Sequence, residues 1–283
     1  MSFERVAIIG LGMIGASLAR AMKKHSLATE VIGCGRGEAN LRLALERGFV
    51  DSISNDPVEA ARGADLVVLS TPVDTLETMA GKISCSLTPG ALVIDVGSIK
   101  GELVSRIQAL MPEGIEFVGC HPIAGSENAG ASASVEGLFS SAQCIITPTD
   151  RNTEANISKA RELWEAIGSF VRIMDPMEHD RLLGLVSHFP HLAAYAMINA
   201  IEDRAEGAIA LSGAGLKDTT RIAMSPSSLW RDISMMNRKN IIPVLDEFIT
   251  QLNSIRQSLE KADSSGLEEI LKKAELRRKS IEG

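Results

Sequence analysis

The sequence predicts an α/β fold in two parts: a doubly wound parallel sheet over residues 1–175 and an all-α domain over residues 176–283. Three observations carry this. Short β-branched runs alternate with helical periodicity through the first part, the order expected of stacked βαβ units. A glycine cluster closes the first run and opens the first helix. Beyond Asp175-Pro176 the strand pattern stops, and only helical spacing remains.

The first strand lies in RVAIIGLGMIG (residues 5–15), where Gly10-Leu11-Gly12-Met13-Ile14-Gly15 follows the apolar run and precedes a helix pattern from Ala16 to Lys23. In G-x-G-x-x-G, Gly10 permits the tight turn, Gly12 lets backbone approach a pyrophosphate, and Gly15 lets helix and strand pack closely. The phosphates would rest on free N–H groups at the helix N-terminus. This is the signature of a Rossmann-type dinucleotide site.

The second strand, EVIGC (30–34), precedes a helical ANLRLALERG. At its end stands Gly33-Cys34-Gly35-Arg36, with none of the carboxylates that bind the ribose 2′-hydroxyl of NAD. Arg36 suits a 2′-phosphate, so NADP is favoured and NAD remains possible; the competing reading is a solvated surface arginine. ADLVVLS (64–70) and ALVIDVG (91–97) read as buried parallel strands, and IEFVG (115–119), CIITP (144–148) and SFVRIM (169–174) complete the sheet. Ligands on such sheets bind beyond the carboxyl ends of the strands. That rule assigns Ser70-Thr71-Pro72 to the cofactor and singles out Gly97-Ser98 and Cys120-His121-Pro122.

After His121 comes a run of glycines, serines and alanines, GCHPIAGSENAGASASVEGLF (119–139), unlike a core strand or a helix. In the second part, residues 177–203 form a long helical stretch interrupted by SHFPH (187–191). His188 and His191 share a helix face by spacing, and Pro190 predicts a kink. By themselves the two histidines beside a kink read first as packing groups and second as site residues. GLKDTTRIAMSPSSLWRDI (215–233) reads either as a capped helix start, with Asp218 and Thr219 as caps, or as a cationic pocket wall built on Arg221. From about 239 to 262, Ile241, Leu245, Phe248, Leu252, Ile255 and Leu259 form a heptad seam, suited to an internal bundle or to a homodimer. GLEEILKKAELRRKSIEG is a last amphipathic helix.

Bulk properties exclude several classes. With a formal net charge of −7 and no basic block, nucleic acid is not an expected partner. Cys34, Cys85, Cys120 and Cys144 are scattered without metal or disulfide spacing, which predicts a reducing, cytoplasmic setting and no metal. No apolar run reaches the ~18 residues of a membrane helix. MSFERVAIIG shows no basic leader, and the length of 283 residues predicts no appended regulatory or mutase domain.

Taken in order, GLGMIG, DVGSIK, HPIAGSENAG with LF, SHFPH and KDTTRIAMSPSSLWRDI make the chain resemble the prephenate/arogenate dehydrogenase family of tyrosine biosynthesis, over nearly its whole length. The glycine motif is generic; HPIAGSE, SHFPH and DTTRIA with LWRDI are specific in combination. The resemblance implies an NAD(P)-dependent oxidoreductase that converts prephenate to 4-hydroxyphenylpyruvate, or arogenate to tyrosine. It implies that His121 is the catalytic base with Ser98 beside it, that His191 and His188 line the substrate pocket, and that Arg221 holds a carboxylate. Glu127 matches the acidic residue near the entrance, Asp218 belongs to the same polar network, and Lys217 stands where relatives often carry arginine. A neutral imidazole near its unperturbed pKa of about 6.5 suits the proton transfer, and the small loop residues suit a compact ring.

Two other readings are distinguishable. A β-hydroxyacid dehydrogenase would resemble its relatives in G-x-x-x-K-x-x-x-N, but here Gly184 is followed by His188 and Leu192. A nicotinamide-sensing dimer would keep the glycines without needing His121, Ser98 and Arg221 together.

Overall fold

The computed structural model describes residues 2–126, 128 and 130–281. The chain divides into two compact units, Met1–Asn237 and Arg238–Gly283. In the first, the order is β1 (Phe3–Ile9), α1 (Met13–Lys24), β2 (Ala28–Cys34), α2 (Glu38–Glu46), β3 (Ser52–Ser54), α3 (Pro57–Ala61) and β4 (Leu66–Leu69). There follow α4 (Leu76–Ile83), β5 (Leu92–Asp95), α5 (Gly101–Ala109), β6 (Glu116–Pro122), β7 (Gln143–Thr147), α6 (Glu154–Ala166) and β8 (Phe170–Ile173). Only helices come after: α7 (Pro176–Leu183), a π-helical turn (Gly184–His188), α8 (Phe189–Arg204), α9 (Ala214–Thr220) and α10 (Ser227–Met236). The second unit holds α11 (Arg238–Glu260) and α12 (Ser264–Lys279), which contact each other.

One eight-stranded sheet runs β3-β2-β1-β4-β5-β6-β7-β8. Its first six strands are parallel, in the 3-2-1-4-5-6 order of doubly wound nucleotide-binding sheets. Two features depart from the expected sheet. β3 is a three-residue strand, Ser52-Ile53-Ser54, too short and too polar to show as an apolar run. β7 pairs antiparallel with β6, in register His121↔Ile145. Among the described residues the segment joining them carries no α-helix, and a return without a helical crossover is antiparallel. α6 then supplies a crossover, and β8 lies parallel to β7.

Strand alternation splits the core into two faces. Val6, Ile8, Val68 and Val118 pack with Leu18 and Met22 of α1 and Trp164 of α6. Ala7, Ile9, Val67 and Phe117 pack with Leu76 of α4 and Leu103 of α5, and Trp230 and Ile233 of α10 join this second core. The later helices through α10 are therefore continuous with the sheet domain's packing. The expected boundary at 175/176 marks the end of the sheet, but it falls inside the first compact unit.

Candidate active site

The glycine motif is built as its spacing predicts. Gly10 has φ +111°, and a Cβ there would collide with the Ser70 carbonyl. A Cβ at Gly15 would strike the Gly10 carbonyl, so α1 can press against the turn only through glycine. At Gly12 a Cβ meets nothing within 4 Å. That open space lies at the N-cap of α1. First-turn N–H groups that have no intrahelical partner and the positive end of the helix dipole fit a pyrophosphate. Arg36 is exposed in the turn after β2, and the next carboxylate, Glu38, is paired with Arg42.

Beyond the strand ends lies a cavity of about 640 Å³. Gly12, Met13 and Ile14 border it on the nucleotide side, beside Ser70, Thr71 and Pro72 at the end of β4. Ser98 and His121 line its floor, and His191, Arg221 and Trp230 stand on the helical wall. One cavity thus joins most of the expected cofactor residues to four of the expected substrate and catalytic residues.

His121 is not a loop residue. It sits near the end of β6 and is only 8% exposed. Its Nδ1 lies 2.8 Å from Nε2 of His179, whose Nδ1 lies 2.8 Å from Oδ1 of Asp180. The same Oδ1 accepts the Lys100 backbone N–H at 2.8 Å. Under this chain, Lys100 and Asp95 form a fully buried ion pair, and Asp95 accepts the Cys120 N–H at 3.0 Å. Burial, then His179, Lys100 and His188, hold the His121 pKa well below the usual 6.5. The expectation of an unperturbed imidazole is thereby corrected: it is neutral at pH 7 because charging it costs desolvation. Its neighbour Cys120 is pushed up to about 12 by burial, so it stays a thiol and offers no nucleophile.

His191 and His188, three residues apart, end in different places. The π turn absorbs the backbone donor that Pro190 lacks and adds a residue to the turn before it. His191 Nδ1–H donates to the Ser187 carbonyl at 3.0 Å, and its ring stacks on Trp230 with centroids 3.4 Å apart. When neutral, its Nε2 is left as an acceptor; burial lowers its pKa, and the nearby Arg221 adds to that. His188 is 1% exposed and does not line the cavity, contrary to expectation. Its Nδ1 accepts from Asn237 at 2.9 Å, and its ring meets Trp230 edge-on. It is a wall support.

Described residues of the small-residue loop, Ile123, Ala124, Gly125, Ser126, Asn128 and Gly130, line the same cavity. The following residues are tied to the nucleotide helices: Ala131 N–H to Asn40 (3.3 Å), Val135 N–H to Ser17 (3.0 Å) and Glu136 to Lys24 (2.6 Å). Glu127 lies outside the described residues. Lys217 and Asp218 are exposed on α9 and do not line the cavity of this chain, which corrects their expected place. Both fall inside the helix, so Asp218 and Thr219 are not caps; Thr219 Oγ1 instead donates to the Gly215 carbonyl.

Sequence reasoning missed His179 and Asp180. They are adjacent in the unremarkable stretch MEHDR, His179 lies 58 residues from His121, and no local pattern links them. Among the described residues, no group of His, Cys, Asp and Glu could hold a metal, and no helix is long and apolar enough to cross a membrane.

Residues 18–173 match the family described as prephenate dehydrogenase, nucleotide-binding domain, and residues 175–273 match prephenate dehydrogenase, dimerization domain. The chain is 34% identical to a cyclohexadienyl dehydrogenase of Zymomonas mobilis subsp. mobilis, over 99% of this chain and 96% of the relative. It is 31% identical to a prephenate dehydrogenase of Bacillus subtilis, over 96% of this chain and 74% of the relative. A crystal structure of prephenate dehydrogenase from A. aeolicus, in complex with hydroxyphenyl propionate and NAD+, superposes with a TM-score of 0.91 at 31% identity, covering 99% of both chains.

Proposed function

The chain belongs to the prephenate dehydrogenase family, and from that premise we propose that it oxidises and decarboxylates prephenate to 4-hydroxyphenylpyruvate. The observation that carries this reading is one cavity holding a buried neutral histidine, an arginine and the open glycine cradle together.

Gly10, Gly12, Met13, Ile14 and Gly15 would hold the dinucleotide, with Ser70, Thr71 and Pro72 beside it. When bound, the oxidised nicotinamide supplies the acceptor for the hydride that leaves the hydroxyl-bearing ring carbon. His121 takes the hydroxyl proton on Nε2 as that carbon becomes ketone-like, and Ser98 shares the same floor of the cavity. Loss of the ring carboxylate as CO₂ then sends that bond's electron pair to the ring oxygen as a phenolate, which takes the proton back from His121 to give the 4-hydroxyphenyl product. Arg221 pairs with a substrate carboxylate in a charge-assisted hydrogen bond, and His191, braced by Trp230, borders the ring.

The finer assignments are our own. NADP is the preferred cofactor, because Arg36 follows β2 where a ribose-binding carboxylate would stand. Residues 1–175 bind the dinucleotide and 176–283 complete the substrate site and the homodimer, in the cytoplasm. The similarity to a cyclohexadienyl dehydrogenase favours a second reading, in which arogenate is oxidised as well. Absorbance of the reduced nicotinamide, followed with each substrate and each cofactor, tests all of this. Turnover of prephenate with NADP above NAD is expected, with the preference reduced in Arg36→Ala. No turnover of either substrate would overturn the activity, and equal use of NAD would overturn the cofactor assignment.

A further inference from the structure

Behind His121 lies a buried polar chain whose proton order can be deduced. Asp180 Oδ1 accepts from the Lys100 backbone at 2.8 Å, so it faces donors. His179 therefore carries its proton on Nδ1, against Asp180, and presents a lone pair at Nε2. Only the Nδ1–H tautomer of His121 can donate to that lone pair, 2.8 Å away. The basic lone pair of His121 is then on Nε2, the ring nitrogen left for the cavity. We propose that His179 and Asp180 are positioning residues for the reaction, fixing this tautomer of His121 and stabilising the imidazolium that forms when its Nε2 takes the substrate proton. The inference rests on the reading of His121 as the base.

The chain is built to hold still. His179 is 0% and Asp180 5% exposed. α5 begins at Gly101, where a Cβ would lie 2.5 Å from Asp180 Oδ2, so glycine admits the carboxylate to the helix N-terminus. Asn237 donates to the Asp180 carbonyl at 2.8 Å and locks α7 in place. Other titratable groups surround the two rings: Asp95 and Lys100, His188, and Cys144 across the β6–β7 ladder. Asp95 and Lys100 offset each other as an ion pair, His188 is neutral, and burial keeps Cys144 a thiol. Asp180 is left as the anion that favours a proton on the histidine pair. In so dry a site its influence is weakly screened.

Asp180→Asn is the direct test, because its amide oxygen can still accept both N–H groups while the charge is gone. Plateau kcat should fall roughly 10- to 100-fold, the scale of a charged hydrogen-bond partner, with prephenate KM unchanged. The acidic limb of kcat/KM should move to lower pH, since losing an anion disfavours the imidazolium. His179→Gln, which offers an acceptor in the place of Nε2, should retain more kcat than His179→Leu. In a His121→Asn background, Asp180→Asn should cause no further loss. A parent-like plateau and unmoved limb in Asp180→Asn, or equal kcat in the Gln and Leu variants, would overturn the inference. A lowered melting temperature with an unmoved limb would likewise make the pair structural. If His121→Asn itself keeps parent kcat, the base reading fails; if it loses kcat while Asp180→Asn does not, only this inference fails.

Discussion

Burial, not a neighbouring anion, decides the charge of His121 in the free protein and keeps it neutral at pH 7. The acidic limb of kcat/KM is therefore expected below 6.5, the ordinary imidazole value. Two substrate carboxylates favour the imidazolium, so the limb of kcat should lie at higher pH than that of kcat/KM when chemistry limits turnover. His121→Asn keeps a polar side chain without the base and should lose ~10²–10⁴-fold in kcat, with the limb abolished. Pre-steady-state and steady-state pH profiles check both; a parent-like profile in the variant removes the histidine from the chemistry. Arg221 lines the same cavity, and its proposed contact with a substrate carboxylate is tested by truncation. Arg221→Ala should raise prephenate KM about 10- to 100-fold, leaving cofactor KM alone; an unchanged prephenate KM would move the carboxylate contact elsewhere.

The run from α7 through the π turn to α8 sets where three histidines go. Asp175 starts it by accepting the Met177 and Glu178 N–H groups at 2.8 and 3.0 Å, and Pro176 suits the first helical position. One turn on, His179 and Asp180 point to the buried side of the helix. The π turn then separates His188, inside the wall, from His191 on the cavity. Burial lowers the His188 pKa to about 4. In the unfolded chain it binds a proton near 6.5, so between those values the unfolded state holds more protons and stability falls as pH falls. For His188 alone the loss is about 3 kcal/mol across that window, and His121 and His179 act in the same direction. Urea unfolding at pH 7 and pH 4.5 should show the loss, and His188→Gln should reduce it. An identical pH dependence in parent and variant would place the acid sensitivity on other groups.

At the scale of the whole molecule, the family's dimerization domain supports a homodimer. Within the second unit, α11 carries the heptad seam, and Leu252 and Leu259 on it are 49% and 62% exposed. Ile249, beside the seam, is 54% exposed. Ile241 of the seam is buried, and the exposed apolar residues further along the helix are the expected contact surface. Phe248→Glu with Leu252→Glu should convert dimers to monomers in sedimentation, at unchanged helix content by circular dichroism. A parent protein that sediments as a monomer at micromolar concentration would refute the seam as the contact.

Features that depend on neighbours along the chain were legible in the sequence. The glycine cradle, six of the parallel-sheet and later strand positions beyond β1, and the placement of Ser70, Ser98 and His121 at strand ends all follow from local periodicity and from where strands stop. β3 escaped because three residues carry no period, and the direction of β7 escaped because it depends on a missing crossover. Lys217, Asp218 and His188 read alike with Arg221 and His191 along the chain; only helix phase and the π turn sort them into outside, wall and cavity. The pairing of His121 with His179, and the lowered basicity of both, exist only once β6 and α7 are packed together. Sequence alone determines which groups have the chemistry. Tertiary structure decides which of them meet and which are cut off from water, because a hydrogen bond across 58 residues and the desolvation of an imidazole are properties of the folded interior.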